Sequence, residues 1–219
     1  EKRTKHAVLM PTAVDAVLYK SFSVEHKEQP LATIGWVGTG RLHFKDGHFA
    51  VLKDAFNALA AAGNHFRFVI IGAQSYQPLK DFFAGSVFEV VYVDELDWAD
   101  SASVPRAIQE YQFDIGVMPV SDTPFNRAKC ALKAVEYMAC GVPPVVSRVG
   151  EAVYLIEDSI TGFLAENTEE WISAFKKLIS DANLRKTIGI NAQKIITQRY
   201  SHQSVIPQIH TIIQEIDKI

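Results

Sequence analysis

The chain reads as α/β, a parallel sheet with helices on both faces, and three observations carry that reading. Five or six short apolar runs alternate with stretches of helical period. The runs are nearly continuous in apolar residues, as expected of strands covered on both faces. Several close on glycine or proline just where a helical pattern begins, at Gly38, Gly72 and Pro119. With 219 residues, 48% hydrophobic and 21% charged, the chain can bury a sizeable core.

Residues 1–30 depart from the alternation: Lys5–Pro11 reads as one strand and Ser21–Pro30 as a polar linker. Thr33–Val37 is the first strand of the repeat and leads into Gly38-Thr-Gly-Arg41. Phe49, Leu52, Ala55, Phe56 and Leu59 recur at helical spacing, and Gly63 ends that helix. Phe66–Gly72 is the second strand, with a helix near Pro78–Phe83, and Phe88–Val93 is the third. A helix around Val104–Tyr111 precedes the strand Phe113–Pro119. Ala128–Gly141 reads as a helix stopped by Gly141, Pro143 and Pro144, and Pro144–Ser147 as a short buried strand. Asn167-Thr-Glu-Glu170 has capping-box form, with Trp171, Phe175 and Leu178 following on one face. Leu184, Ile188, Ile195 and Ile196 make a second stripe, and Val205, Ile206, Ile209, Ile212, Ile213 and Ile216 a third, on a closing helix that needs a partner surface.

Composition removes several function classes. A net charge of −3 and a pI near 6.2 give no electrostatic footprint for nucleic acid. No apolar stretch approaches the roughly 20 residues of a membrane span. Cys130 and Cys140, in a sequence without a signal peptide, read as reduced thiols and place the chain in the cytoplasm. The seven histidines show no metal-ligand spacing, so no metal is expected. The first residue is Glu1 rather than Met, so the chain is expected to be an excised fragment, with its two ends expected to contact an absent domain.

The segment 128–141 is the most informative. At about 100° per residue, Lys129, Lys133, Glu136 and Cys140 fall within an arc of roughly 60°, opposite Ala131, Leu132, Ala134, Val135, Met138 and Ala139. Two cations can hold a diphosphate, and a carboxylate can accept from sugar hydroxyls, so the ridge suits a nucleotide-sugar. A half-buried helix with an ordinary Lys133–Glu136 surface pair gives the same pattern.

Other candidates lie where strands hand over to helices. At Gly38 and Gly40 the backbone can approach a phosphate, with Arg41 and Lys45 as cationic contacts; a tight βα turn would use the same glycines. Asp122, Asn126 and Lys129 follow a strand end and can face a ligand, or form an Asx-type turn. Val149-Gly-Glu-Ala152 offers backbone amides and the Glu151 carboxylate, or simply starts a helix with an acid. No nucleophile–base set is visible, so the signal lies in groups that hold a ligand.

Taken in order, three stretches resemble the C-terminal, nucleotide-sugar-binding domain of GT-B glycosyltransferases in the glycosyl transferases group 1 family. They are Phe113–Pro119, Lys133–Ser147 with its Glu-Tyr-Met-Ala-Cys-Gly-Val-Pro block, and Ile156–Leu164. The resemblance runs from about Thr33 to the end, and Met10–Asp15 is similar to the segment leaving the N-terminal domain. It implies a Rossmann-like half of a GT-B fold at 31–200, an interdomain remnant at 1–30, and a C-terminal helix at 201–219 packing on a missing N-terminal acceptor domain. It also implies sugar transfer from a nucleoside diphosphate sugar to an acceptor hydroxyl in polysaccharide or glycoconjugate biosynthesis. No metal or cofactor is required, and any peripheral membrane association would run through the absent domain. Glu136 would bind the ribose, Arg41 and Lys45 the diphosphate, and Gly150 would lie under phosphates and sugar. Where many relatives carry a glutamate eight positions before Glu136, this chain has Ala128, so that role is unassigned. The alternatives are an epimerase on the same fold and a non-catalytic flavodoxin-like module.

Overall fold

A computed structural model of the chain describes residues 8, 10–28 and 31–216. Strands β1 (Ala32–Val37), β2 (Phe66–Ile71), β3 (Glu89–Val93), β4 (Ile115–Met118), β5 (Pro144–Ser147) and β6 (Phe163–Ala165) form one sheet. Their order is β3-β2-β1-β4-β5-β6, with every neighbouring pair parallel. A flavodoxin-like sheet runs 2-1-3-4-5, so that alternative does not fit. The edge strand β6 comes from the Thr-Gly-Phe-Leu block.

Each central strand feeds two cores. On β2, Phe66, Phe68 and Ile70 join one cluster, while Val69 and Ile71 join the other. The period of two is present, but both sides are apolar because both are covered. On one face lie α3 (Ala50–Ala61), α4 (Gln77–Phe83) and α9 (Thr168–Ser180); Phe49, Phe56, Phe68, Phe83, Phe88 and Phe175 interlock there at centroid distances of 5.0 to 6.4 Å. The other face carries α5 (Ser103–Glu110), α7 (Leu132–Ala139) and α10 (Ala182–Ile195), which runs on into a π-helical turn, Ile196–Tyr200. Asn167 caps α9 through Glu170 N–H at 3.0 Å, and the Glu170 carboxylate accepts from Glu166 N–H at 2.7 Å.

The structure corrects the reading of 128–141. The helix begins at Leu132, while Lys129 and Cys130 lie in a link after a separate turn, α6 (Pro124–Arg127). Thr123 caps that turn through Asn126 N–H at 3.1 Å, and Ala128 ends it. Cys140 is fully buried rather than on a solvated ridge, because α10 and the π-helical turn cover that side.

The amino-terminal segment also differs from expectation. Of the strand placed at Lys5–Pro11, residues 5–7 and 9 lie outside the described residues, and Val8, Met10 and Pro11 are not in a strand. A short helix, α1 (Ala16–Ser21), stands where none was foreseen and packs on α7. The stretch read as a polar linker is clamped to the domain. Val24 is buried and donates to Cys140 O at 3.0 Å, and a His26 ring nitrogen lies 2.8 Å from Gly141 O. Beneath it the buried Asp114 accepts from Thr33 N–H at 2.9 Å and pairs with Arg185 at 3.1 Å. The closing helix α11 (His202–Ile216) buries Val205 but leaves Ile206, Ile209 and Ile213 40 to 50% exposed. Among the described residues no helix is long and apolar enough to cross a membrane.

Candidate functional site

The crevice opens where β1 and β4 part. Their pairing covers Ile34↔Ile115 and Gly35↔Gly116 and then ends. A Cβ on Gly116 would overlap the Tyr137 ring, so this glycine makes the groove that receives α7, while Gly35 leaves room for the Phe113 ring beside it. Tyr137 enters it, accepting from Val37 N–H at 3.1 Å and donating to Val117 O at 3.3 Å. That pin sets α7 against the carboxyl ends of β1 and β4, the switch point of a doubly wound sheet.

Lys133 and Glu136 therefore face the crevice. Gly38 has φ +155°, and a Cβ there would stand 2.8 Å from Lys133 Cε. The Lys133 ammonium lies 5.5 Å from the Trp36 ring centroid. Both residues line a 450 Å³ cavity with Tyr19, Thr39 and Trp98. Glu136 Oε1 accepts from the Tyr19 hydroxyl at 3.1 Å. Burial pushes the Glu136 carboxyl up to about 7, against the opposing pull of Tyr19 and Lys133. Burial likewise pushes the Lys133 ammonium down; Glu136 opposes this and Lys129 adds to it. Each group is driven toward neutrality by desolvation and held charged by its neighbour, a state that an entering anion would relieve at Lys133.

Next along the rim, Lys129 and Lys133 share a 360 Å³ cavity with Trp36, His43, His48 and Asn126. The His43 ring sits between Trp36 and Phe49, tilted to the first at 4.7 Å and edge-on to the second at 4.8 Å. Burial first, then Lys133, His48 and Lys129, push its imidazole down to about 2. Ala131 precedes α7 and supplies no side-chain cap for its amino-terminal amides, which suits an anion there. Lys129 continues into a 790 Å³ cavity shared with Ala128, Arg148, Gly150 and Glu151.

Most of the expected residues thus fall along one continuous rim, while Gly40, Arg41 and Lys45 lie off it. Glu136, Lys133, Lys129, Gly150 and Glu151 succeed one another along it, with Gly38 beneath Lys133. Gly40 packs on the end of β2 and spends its N–H on Gly72 O at 2.8 Å. Asn126 lines the middle cavity but is buried, its amide donating to Ser121 O at 2.9 Å. Asp122 is held by Arg127 in a two-pronged pair at 2.5 and 2.7 Å. Glu151 accepts from the Tyr200 hydroxyl at 3.2 Å. Arg41 and Lys45 are exposed on the short helix α2 (Gly40–Lys45), and neither lines the cavities of Lys133. Arg41 lies 5.6 Å from the Tyr76 ring centroid instead. On that helix it is His43 that reaches the crevice. Tyr19, Trp36, His43 and Trp98 are the site residues sequence reasoning missed. Trp36 and His43 flank the Gly-x-Gly turn and were findable there; Tyr19 sits 117 residues from its partner and carries no local signal.

The model of the family described as glycosyl transferases group 1 matches residues 32–181. The chain belongs to that family. The glycosyltransferase CapM of capsular polysaccharide biosynthesis in Staphylococcus aureus is 24% identical over 186 residues, covering 82% of this chain and 45% of CapM. Sucrose-phosphate synthase from Thermosynechococcus elongatus overlays with a TM-score of 0.74 at 16% identity, over 99% of this chain and 54% of that one. Anabaena HepE, solved in complex with UDP-glucose, overlays at 0.67 and 20% identity, over 95% of this chain and 57% of HepE. The chain therefore spans about half the length of these proteins. In this member, Ala128 stands at the rim of the 790 Å³ cavity.

Proposed function

We propose that this chain is the donor-binding half of a glycosyltransferase that moves a sugar from a nucleoside diphosphate to an acceptor hydroxyl. The observation that carries the reading is the contact of Lys133 with Gly38 at the end of β1, with Glu136 in the same cavity. Glu136 accepts from the ribose hydroxyls, Trp98 offers a flat face to the base, and Lys133 and Lys129 hold the pyrophosphate. As the glycosidic bond breaks, charge grows on the leaving phosphate, and preorganised cations there lower the barrier. The sugar then lies toward Gly150, Glu151 and Arg148 in the 790 Å³ cavity. The acceptor site belongs to an N-terminal domain, and the exposed isoleucines of α11 supply an apolar surface for it. The UDP-glucose complex of HepE makes UDP the first nucleotide to try.

The test is calorimetric titration with UDP, GDP and ADP, followed by uridine or the matching nucleoside. Lys133→Ala weakens the diphosphate by roughly 10- to 100-fold, the worth of one charge-assisted hydrogen bond, and spares the nucleoside. Glu136→Gln weakens both. Equal losses of diphosphate and nucleoside in Lys133→Ala reject the phosphate assignment. Turnover of a nucleotide-sugar without any acceptor would favour an epimerase.

A further inference from the structure

Two tyrosines outside the expected site each hold one of its carboxylates. Tyr19 donates to Glu136 Oε1 at 3.1 Å, and Tyr200 donates to Glu151 Oε1 at 3.2 Å. Both hang from one joint, an isolated parallel bridge between Val14 and Ser201. There Val14 N–H donates to Tyr200 O at 2.9 Å, and His202 N–H donates to Val14 O at 3.1 Å. From that joint α1 is set by Asp15, whose Oδ1 accepts from Val17 and Leu18 N–H at 3.1 and 3.0 Å. The Tyr19 ring is 8% exposed, so its approach to Glu136 is fixed.

A carboxylate in a desolvated crevice needs help to stay ionised. A lysine clasping it would occupy the lone pairs that a ligand's hydroxyls require. A neutral hydroxyl takes one oxygen, favours the anion, and leaves the second oxygen open. Tyr19 is suited to that task, because burial and the adjacent Glu136 push its own ionisation up and keep it a donor.

The geometry points to Tyr19 as a positioning residue of the nucleotide site: its hydroxyl holds Glu136 in one orientation and as the anion, so that the free oxygen accepts from the ribose. This rests on the reading of Glu136 as the ribose acceptor. The charged and titratable groups facing Glu136 are Tyr19 from α1 and Asp15 that caps it, Lys133 and Tyr137 from α7 and Cys140 that ends it, and Asp100 from the turn before α5. Burial, with Glu136 adding to it, holds the Tyr137 hydroxyl and the Cys140 thiol protonated. Among the described residues, Tyr19 is the one that donates to the carboxylate.

The experiment measures uridine and UDP affinity from pH 5.5 to 8.5, beside a ¹³C titration of the Glu136 carboxyl in the unliganded protein. In the parent protein both affinities fall as pH drops through the Glu136 titration near 7. Tyr19→Phe keeps the ring and removes the hydroxyl. It moves the midpoint up by about half a unit or more and, at pH 6.5, weakens uridine and UDP alike by about threefold or more. An unmoved midpoint, or a loss confined to UDP, overturns the proposal. If the parent binds neither compound nor any other nucleotide, the donor-site reading falls with it. The carboxyl titration then still decides whether Tyr19 sets the ionisation of Glu136.

Discussion

Lys133 owes its place to the side chain that Gly38 lacks. A methyl group there would stand 2.8 Å from Lys133 Cε and 3.0 Å from the Trp36 ring, on a backbone with φ +155° that other residues avoid. Gly38→Ala should push the ammonium off the β1 rim, weaken UDP by about tenfold and leave uridine within about twofold. Thermal unfolding should show the protein still folded, and a variant with unchanged UDP affinity would separate Lys133 from the glycine turn. At this scale Lys133 and Glu136 were legible, because their spacing on one helix face is a local property. The outward placing of Arg41 and Lys45 was not. Six residues of α2 decide which side chain meets the crevice, and there it is His43.

Among the elements, α7 fixes the site. Its seat is the groove at Gly116, filled by Tyr137 and closed by two hydrogen bonds to β1 and β4. Gly116→Ala forces the Tyr137 ring out of that seat. Overpacking of this kind costs about 3 kcal/mol or more, so the melting temperature should fall by roughly 6–12 °C. A near-parental melting temperature would show that α7 has slack. The strands and the α9 cap were legible because apolar runs, glycine stops and Asn-x-x-Glu are written in consecutive residues. The start of α7 was misplaced because Thr123 and Pro124 begin their own turn, and the helix signal of 128–131 loses to it. Nothing in residues 16–21 announced α1, which is held by Asp15 and by packing on α7.

For the molecule as a whole, two buried groups give stability opposite slopes with pH. His43 is held neutral down to about 2, so the unfolded chain takes up a proton below its ordinary pKa of 6.5 and stability is lost as pH falls past that value. Glu136 has its folded pKa raised from 4.5 to about 7, so the native state takes up the proton first and gains stability over the same descent. Between pH 7 and 5 each contributes about 2 kcal/mol, with opposite sign. Burial also pushes the His48 imidazole down and adds to the His43 slope, so urea unfolding of the parent protein should lose only part of the His43 and His48 effect across that interval, Glu136 offsetting the rest. Glu136→Gln removes the opposing slope and should lose about 2 kcal/mol from pH 7 to 5. A flat Glu136→Gln profile would mean that neither His43 nor His48 is held neutral by burial.

What the sequence by itself determined is whatever follows from neighbours along the chain: the alternation of strands and helices, the parallel sheet, the family block around Glu136 and the pairing of a carboxylate with a lysine one turn away. Tertiary structure alone decided which groups meet across long separations. It brought Tyr19 onto Glu136, Tyr200 onto Glu151 and His43 into the lysine cavity, and it sent Arg41 to Tyr76. The physical reason is that a hydrogen-bond partner or a desolvating wall is chosen by packing in three dimensions, and the local periodicity of a segment carries no record of it.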